Sequence, residues 1–164
     1  LFENRCINLH PAPPKYPGVG GVNFALYNNE DNFGITVHLM NDKIDNGRIL
    51  DVVAFSISQV FELDEAISLI LNYRIELLNG IIQDILKTNF DAFVKKHEEN
   101  KFFWSEKIWS REQLNKMQKL HIDDQNSLSE VKRRIRAFHT KAFPLKIILG
   151  GRAFSLSEDF NDEG

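Results

Sequence analysis

The spacing of apolar residues changes period once between Ile35 and Leu86, and that change constrains the fold more than any other feature. Ile35, Val37 and Leu39 alternate with Thr36, His38 and Met40, which is the period-two pattern of a strand. Residues 49–55 predict a second strand. From Asp64 onward, apolar pairs at Ala66/Ile67, Ile70/Leu71, Leu77/Leu78, Ile81/Ile82 and Ile85/Leu86 mark one face of a long helix, with Asp64 as its cap. Strands that give way to a helix of this length predict an α/β domain.

Around this centre the pattern is shorter-ranged. Residues 5–9 read as a strand, residues 10–21 as a loop broken by Pro11, Pro13, Pro14 and Pro17, residues 23–27 as a short helix and residues 28–32 as a polar turn. Residues 41–47 form a turn of types that tolerate left-handed backbone or bond their own main chain. Beyond the long helix lie the aromatics Phe102, Phe103, Trp104 and Trp109, helices near 111–120 and 128–138, and a strand at 145–149. That strand turns at Gly150 and Gly151 into residues 152–156. The acidic residues 157–164 predict a disordered tail. The chain opens at Leu1, with a strand and no turn or cap ahead of it. This leads to the expectation that an N-terminal part of the domain is missing.

Composition narrows the function classes. A chain of 164 residues can bury roughly 70% of its unfolded surface without metals or disulfides. Its net charge of −3 disfavours nucleic acid as partner, because binding polyphosphate normally takes a large positive excess. The single cysteine, Cys6, permits no internal disulfide and fits a reducing, cytoplasmic compartment. No apolar run approaches the roughly 20 residues of a membrane span, and no signal peptide is evident.

Asn8, His10 and Asp45 lie where strands end and loops begin, the place where an α/β sheet opens to ligands. Asn8 and His10 are two apart on an extended segment and share a face. A strand returning beside them could bring Asp45 to the same place. An amide donor can stabilise the charge that grows on a carbonyl oxygen under attack. An imidazole can take the proton of an attacking amine, and a carboxylate can orient that imidazole. The set suits acyl transfer without a covalent intermediate. As spacing alone, the same residues could equally satisfy loop backbone groups and shape the turn before Gly47.

The surrounding residues add a resemblance. Asn8-Leu9-His10-Pro11, Pro14-Lys15-Tyr16-Pro17-Gly18, Gly34-Ile35-Thr36-Val37-His38 and Asp45-Asn46-Gly47-Arg48-Ile49-Leu50 resemble, in order and spacing, the signature of the folate-dependent formyltransferases. The departure is Pro11-Ala12-Pro13-Pro14, where many members carry Ser-Leu-Leu-Pro. The resemblance implies a Rossmann-like core with a small α+β C-terminal extension. It divides the chain into residues 1–100, the C-terminal half of the catalytic core, and residues 101–156, an extension for acceptor binding or dimerisation.

It also implies 10-formyltetrahydrofolate as co-substrate, no metal, and Asn8, His10 and Asp45 as the catalytic residues. Backbone of Asn41, Asp42, Lys43, Ile44 and Asp45 would hold the pterin. The extension and the proline-rich loop are similar to sugar-nucleotide N-formyltransferases. The implied acceptor is then the amine of a nucleotide-linked amino-dideoxy sugar such as dTDP-4-amino-4,6-dideoxyglucose, and the implied assembly is a homodimer. Glycinamide ribonucleotide and methionyl-tRNA are the alternative acceptors, and a non-catalytic interaction remnant is the alternative role.

Other residues carry two readings each. Lys15 and Tyr16 could touch the acceptor or merely build the loop. Trp109, with Trp104, Phe102 and Phe103, could stack on a base or pack in a core or interface. Lys132, Arg133, Arg134 and Arg136 could bind a diphosphate, though a solvated helix face explains most of them. His38 reads as a packed, hydrogen-bonded histidine. His97, His121 and His139 lack metal-ligand spacing.

Overall fold

The computed structural model describes residues 5–122 and 127–156. The tail predicted at 157–164 lies outside them. The N-terminal sheet has the order β1-β2-β3, from β1 (Ile7–His10), β2 (Asn32–Leu39) and β3 (Ile49–Ser56). All its pairings are antiparallel, and Asn8 stands opposite His38 while His10 stands opposite Thr36. Between β1 and β2 runs the predicted loop and then α1 (Gly21–Tyr27).

Both faces of β2 are covered, so all of its residues from Phe33 to Leu39 are buried. Val37 and Leu39 point into a core with Ile81 of α2 (Leu63–Lys87) and Phe93 of α3 (Phe90–Lys96). Thr36 and His38 alternate to the opposite face, as a period of two requires. There Thr36 donates to the Ala12 carbonyl in the proline-rich loop.

The long helix departs from the sequence reading in two ways. Its N-cap is Glu62, which makes no side-chain capping bond, and Asp64 sits inside the first turn, where a carboxylate favours the positive end of the helix dipole. Its apolar surface is also wider than one buried face. Leu63, Ala66, Ile70 and Ile81 are buried, whereas Ile67, Leu71, Ile75, Leu78 and Ile82 form a second, exposed stripe.

The remaining elements are α4 (Arg111–Met117), β4 (Lys119–His121), α5 (Leu128–Phe138), β5 (Lys146–Leu149) and β6 (Arg152–Ser155). Ser110 and Gln113 close a capping box on α4, and Ser127 caps α5. β5 pairs in parallel with β4 and antiparallel with β6, through the left-handed Gly150 and Gly151. α3 has no counterpart among the expected elements, and β4 takes the end of the helix expected near 111–120, because residues 119–121 pair with the distant β5. Leu114, Leu120, Ala137, Phe138 and Leu145 pack into the same core as Phe24, Phe33, Ile35 and Leu63. The 101–156 extension therefore shares its core with the first hundred residues. Among the described residues no helix is long and apolar enough to cross a membrane.

Candidate active site

The register of β1 against β2 makes Asn8 and His38 direct cross-strand neighbours, and His10 lies one step along the same face. Asn8 Nδ2 and His38 Nε2 are 3.1 Å apart. Asp45 comes from the turn after β2, where it has the left-handed φ of 40°. Asn41 stiffens that turn by accepting from the Lys43 N–H at 3.0 Å. At its end the chain passes so close to β2 that a Cβ on Gly47 would lie 1.6 Å from the Leu39 carbonyl oxygen. Only glycine fits there.

Asp45 then meets three partners. Its Oδ2 accepts the Gly18 N–H at 2.8 Å and lies 3.2 Å from His10 Nδ1, while Oδ1 is 3.6 Å from His38 Nε2. Gly18 has φ 94°, and a Cβ there would meet the Trp109 carbonyl oxygen at 2.2 Å. The three residues singled out in the sequence are thus brought to one place, with His38 as a fourth member.

The electrostatics follow from burial. His10 is 4% exposed and His38 3%. Burial holds the His10 pKa below its ordinary value, with the Tyr16 carbonyl and Asp45 opposing. His10 Nε2 donates to that carbonyl at 2.9 Å. In the neutral ring this leaves Nδ1 without a proton and facing Asp45. A proton arriving at Nδ1 would complete an imidazolium with an acceptor at each nitrogen. Burial works to raise the Asp45 pKa, but the Gly18 N–H and the charge that the neighbouring histidines carry when protonated outweigh it and hold the carboxyl below the usual aspartate value.

A strap of residues 98–110 closes one side. It is pinned along the proline-rich loop by Ser105 N–H to Pro14, Trp109 N–H to Pro17 and Val19 N–H to Trp109. Trp104 stands edge-to-face against His10 at 5.6 Å and against His38 at 5.0 Å, and donates to the Gly47 carbonyl at 2.7 Å. Sequence reading placed Trp104 only in a general aromatic cluster. Its contact with Gly47 spans 57 positions, and no local pattern reports such a contact.

The remaining sequence candidates are distributed differently. Tyr16 is 2% exposed, and its hydroxyl donates to Glu30 and accepts from Asn28. Its side chain is core, which corrects the expectation of an acceptor contact. Lys15 is exposed and paired with Glu30. Trp109 stacks on Phe24 with centroids 3.8 Å apart and has Lys107 Nζ 3.5 Å from its ring centre. Both groups are too close to share one side, so neither face is open to a base.

Arg133 and Arg134 bond Glu130, and Arg136 bonds the Val60 carbonyl. Asn41, Asp42, Lys43 and Ile44 are exposed beside Asp45. Cavities of about 500 Å³ between α4, β4 and α5, and of about 400 Å³ between α2, α3 and the sheet, lie away from these residues.

An amide and two imidazoles on one sheet face, met by a carboxylate from the following turn, are groups whose chemistry suits acyl transfer. Residues 1–69 match the model of the formyl transferase family. The methionyl-tRNA formyltransferase of Buchnera aphidicola subsp. Acyrthosiphon pisum is 28% identical over 141 residues, covering 85% of this chain and 42% of that protein. An N-formyltransferase from Helicobacter canadensis, solved with folinic acid and dTDP-3-aminofucose, is 25% identical with a TM-score of 0.67. That match covers 90% of this chain and 52% of that one.

A 4-N formyltransferase from Francisella tularensis superposes with a TM-score of 0.71 at 22% identity, over 93% of this chain and 61% of that one, and so supports the Rossmann-like fold. The chain spans less than half the length of the curated relatives it matches.

Proposed function

We propose that this chain carries the catalytic residues of an enzyme that moves a formyl group from a 10-formyltetrahydrofolate donor to the amine of a nucleotide-linked amino-dideoxy sugar. The observation that carries the reading is the meeting of Asn8, His10 and Asp45, 3.2 Å apart at the His10–Asp45 contact, inside a formyltransferase-family segment. A bound formyl-folate supplies the one-carbon unit and regains a proton on the nitrogen that gives it up.

The chain's residues do the rest. Asn8 offers an amide N–H to the oxygen on which charge develops, a contribution of about 3 kcal/mol for one such donor. His10 relays the proton from the amine, and Asp45, 3.2 Å from its Nδ1, orients the ring and holds the charge that develops on it. The pterin would lie on the backbone of residues 41–45: residues 41–44 are exposed beside Asp45, and Met40 and Ile44 offer exposed apolar surface there.

The Helicobacter protein, with its folate and amino-sugar nucleotide ligands, supports the sugar acceptor. The net charge of −3 weighs the same way, since it gives no field to attract tRNA. The second reading, methionyl-tRNA as acceptor, is favoured by the relatives found in sequence. An acceptor panel of dTDP- and UDP-linked amino sugars, glycinamide ribonucleotide and charged initiator tRNA, with a formyl-folate donor, tests both. Turnover with an amino-sugar nucleotide alone is the expected result. Turnover with tRNA alone would overturn the sugar assignment, and turnover with none would overturn the transferase reading.

A further inference from the structure

We propose that His38 is a positioning residue, which fixes the Asn8 amide so that its NH2 group, not its carbonyl, is presented to the reacting oxygen. The catalytic consequence rests on the transferase reading above; the geometry does not.

The Leu39 carbonyl sets the tautomer of His38. A carbonyl oxygen can only accept, and His38 Nδ1 lies 2.9 Å from it, so Nδ1 carries the ring proton. In the neutral ring Nε2 is then a bare acceptor. Asn8 Nδ2 lies 3.1 Å from Nε2 and spends one N–H on it. The opposite amide orientation would set Asn8 Oδ1 against the Nε2 lone pair in a buried place, where two facing acceptors are costly. With one N–H committed, the second N–H on the same nitrogen remains for an oxyanion.

The surroundings hold the ring in that role. His38 is 3% exposed and has Trp104 edge-to-face at 5.0 Å. The β2–β3 register shifts between Val37 and His38, the kind of irregularity that re-aims a side chain. The competing arrangement is also defined. A proton on Nε2 would turn the ring toward Asp45 Oδ1, now 3.6 Å away, and would expel the Asn8 N–H.

The first test reads the ring nitrogens directly, by nitrogen-15 NMR of the full chain with labelled histidine near neutral pH. A protonated Nδ1 and a bare Nε2 at His38, with the Nε2 resonance moving when Asn8→Ala removes its donor, is the expected result. A protonated Nε2, or a resonance indifferent to Asn8→Ala, would overturn the proposal.

The second test uses turnover. His38→Phe removes the acceptor, and kcat should fall by about 100-fold, the lower end of the loss seen for a missing oxyanion donor, with KM for the donor changed less than about threefold. His38→Gln can again accept from Asn8 and should recover most of the rate. Equal losses in both variants, or losses confined to KM, would count against positioning. A wild-type chain with no turnover removes the transferase reading and leaves the NMR signature to decide this one.

Discussion

His10 sits at a conflict between solvation and pairing, and pH is the variable that exposes it. Burial lowers its pKa from the ordinary 6.5, so the neutral, proton-accepting form persists to lower pH than an exposed histidine would allow. The acid limb of kcat/KM against pH is expected to have its midpoint below 6.5. A midpoint above that value would mean that Asp45 outweighs burial.

Stability follows the same sign. The unfolded chain binds this proton first as pH falls, so the contribution of His10 is present above its unfolded pKa and is lost as pH falls through the folded one. His10→Asn removes the base and should lower kcat at least about 100-fold. Retention of activity within a few-fold in a steady-state assay would show that another group takes the proton. Asn8, His10 and Asp45 were legible in the sequence because the motifs around them resemble the formyltransferase signature; their spacing alone is that of ordinary loop and turn residues. Trp104 and the pairing of His38 with Asn8 were not, since both are contacts between distant segments.

At the level of elements, the turn that delivers Asp45 depends on Gly47, while the long helix tolerates change on one side. Gly47→Ala would drive a methyl into the Leu39 carbonyl region. Several kcal/mol of destabilisation is expected, read as a lower urea midpoint, with activity lost as the turn shifts. On α2, Ile70→Ala empties a buried site and should cost about 2–5 kcal/mol. Leu78→Lys, on the exposed stripe, should stay within about 0.5 kcal/mol.

Chemical denaturation of the two variants separates the buried face from the exposed one. The sequence pairs Ile70/Leu71 and Ile81/Ile82 predicted the helix correctly, but their doubling concealed that only one member of each pair is covered. Periodicity reports that a residue is apolar at helical spacing; it does not report what lies opposite.

In the whole molecule, the two sheets are parts of one packed body. Phe138 of α5 is fully buried against Phe24 and Tyr27 of α1. Phe138→Ala is expected to cost about 3–5 kcal/mol and to lower the melting temperature of both sheets together, followed by circular dichroism and tryptophan fluorescence. Separate transitions would mean that residues 101–156 fold on their own.

The sequence alone determined the three strands of the first sheet, the long helix and the proline-broken loop, because propensity, turn chemistry and apolar period act over a few neighbouring positions. Only the tertiary structure decided that Tyr16 is core, that both faces of Trp109 are taken and that Trp104 closes over two histidines. Those outcomes depend on which distant surfaces meet, and close packing permits each surface only one neighbour.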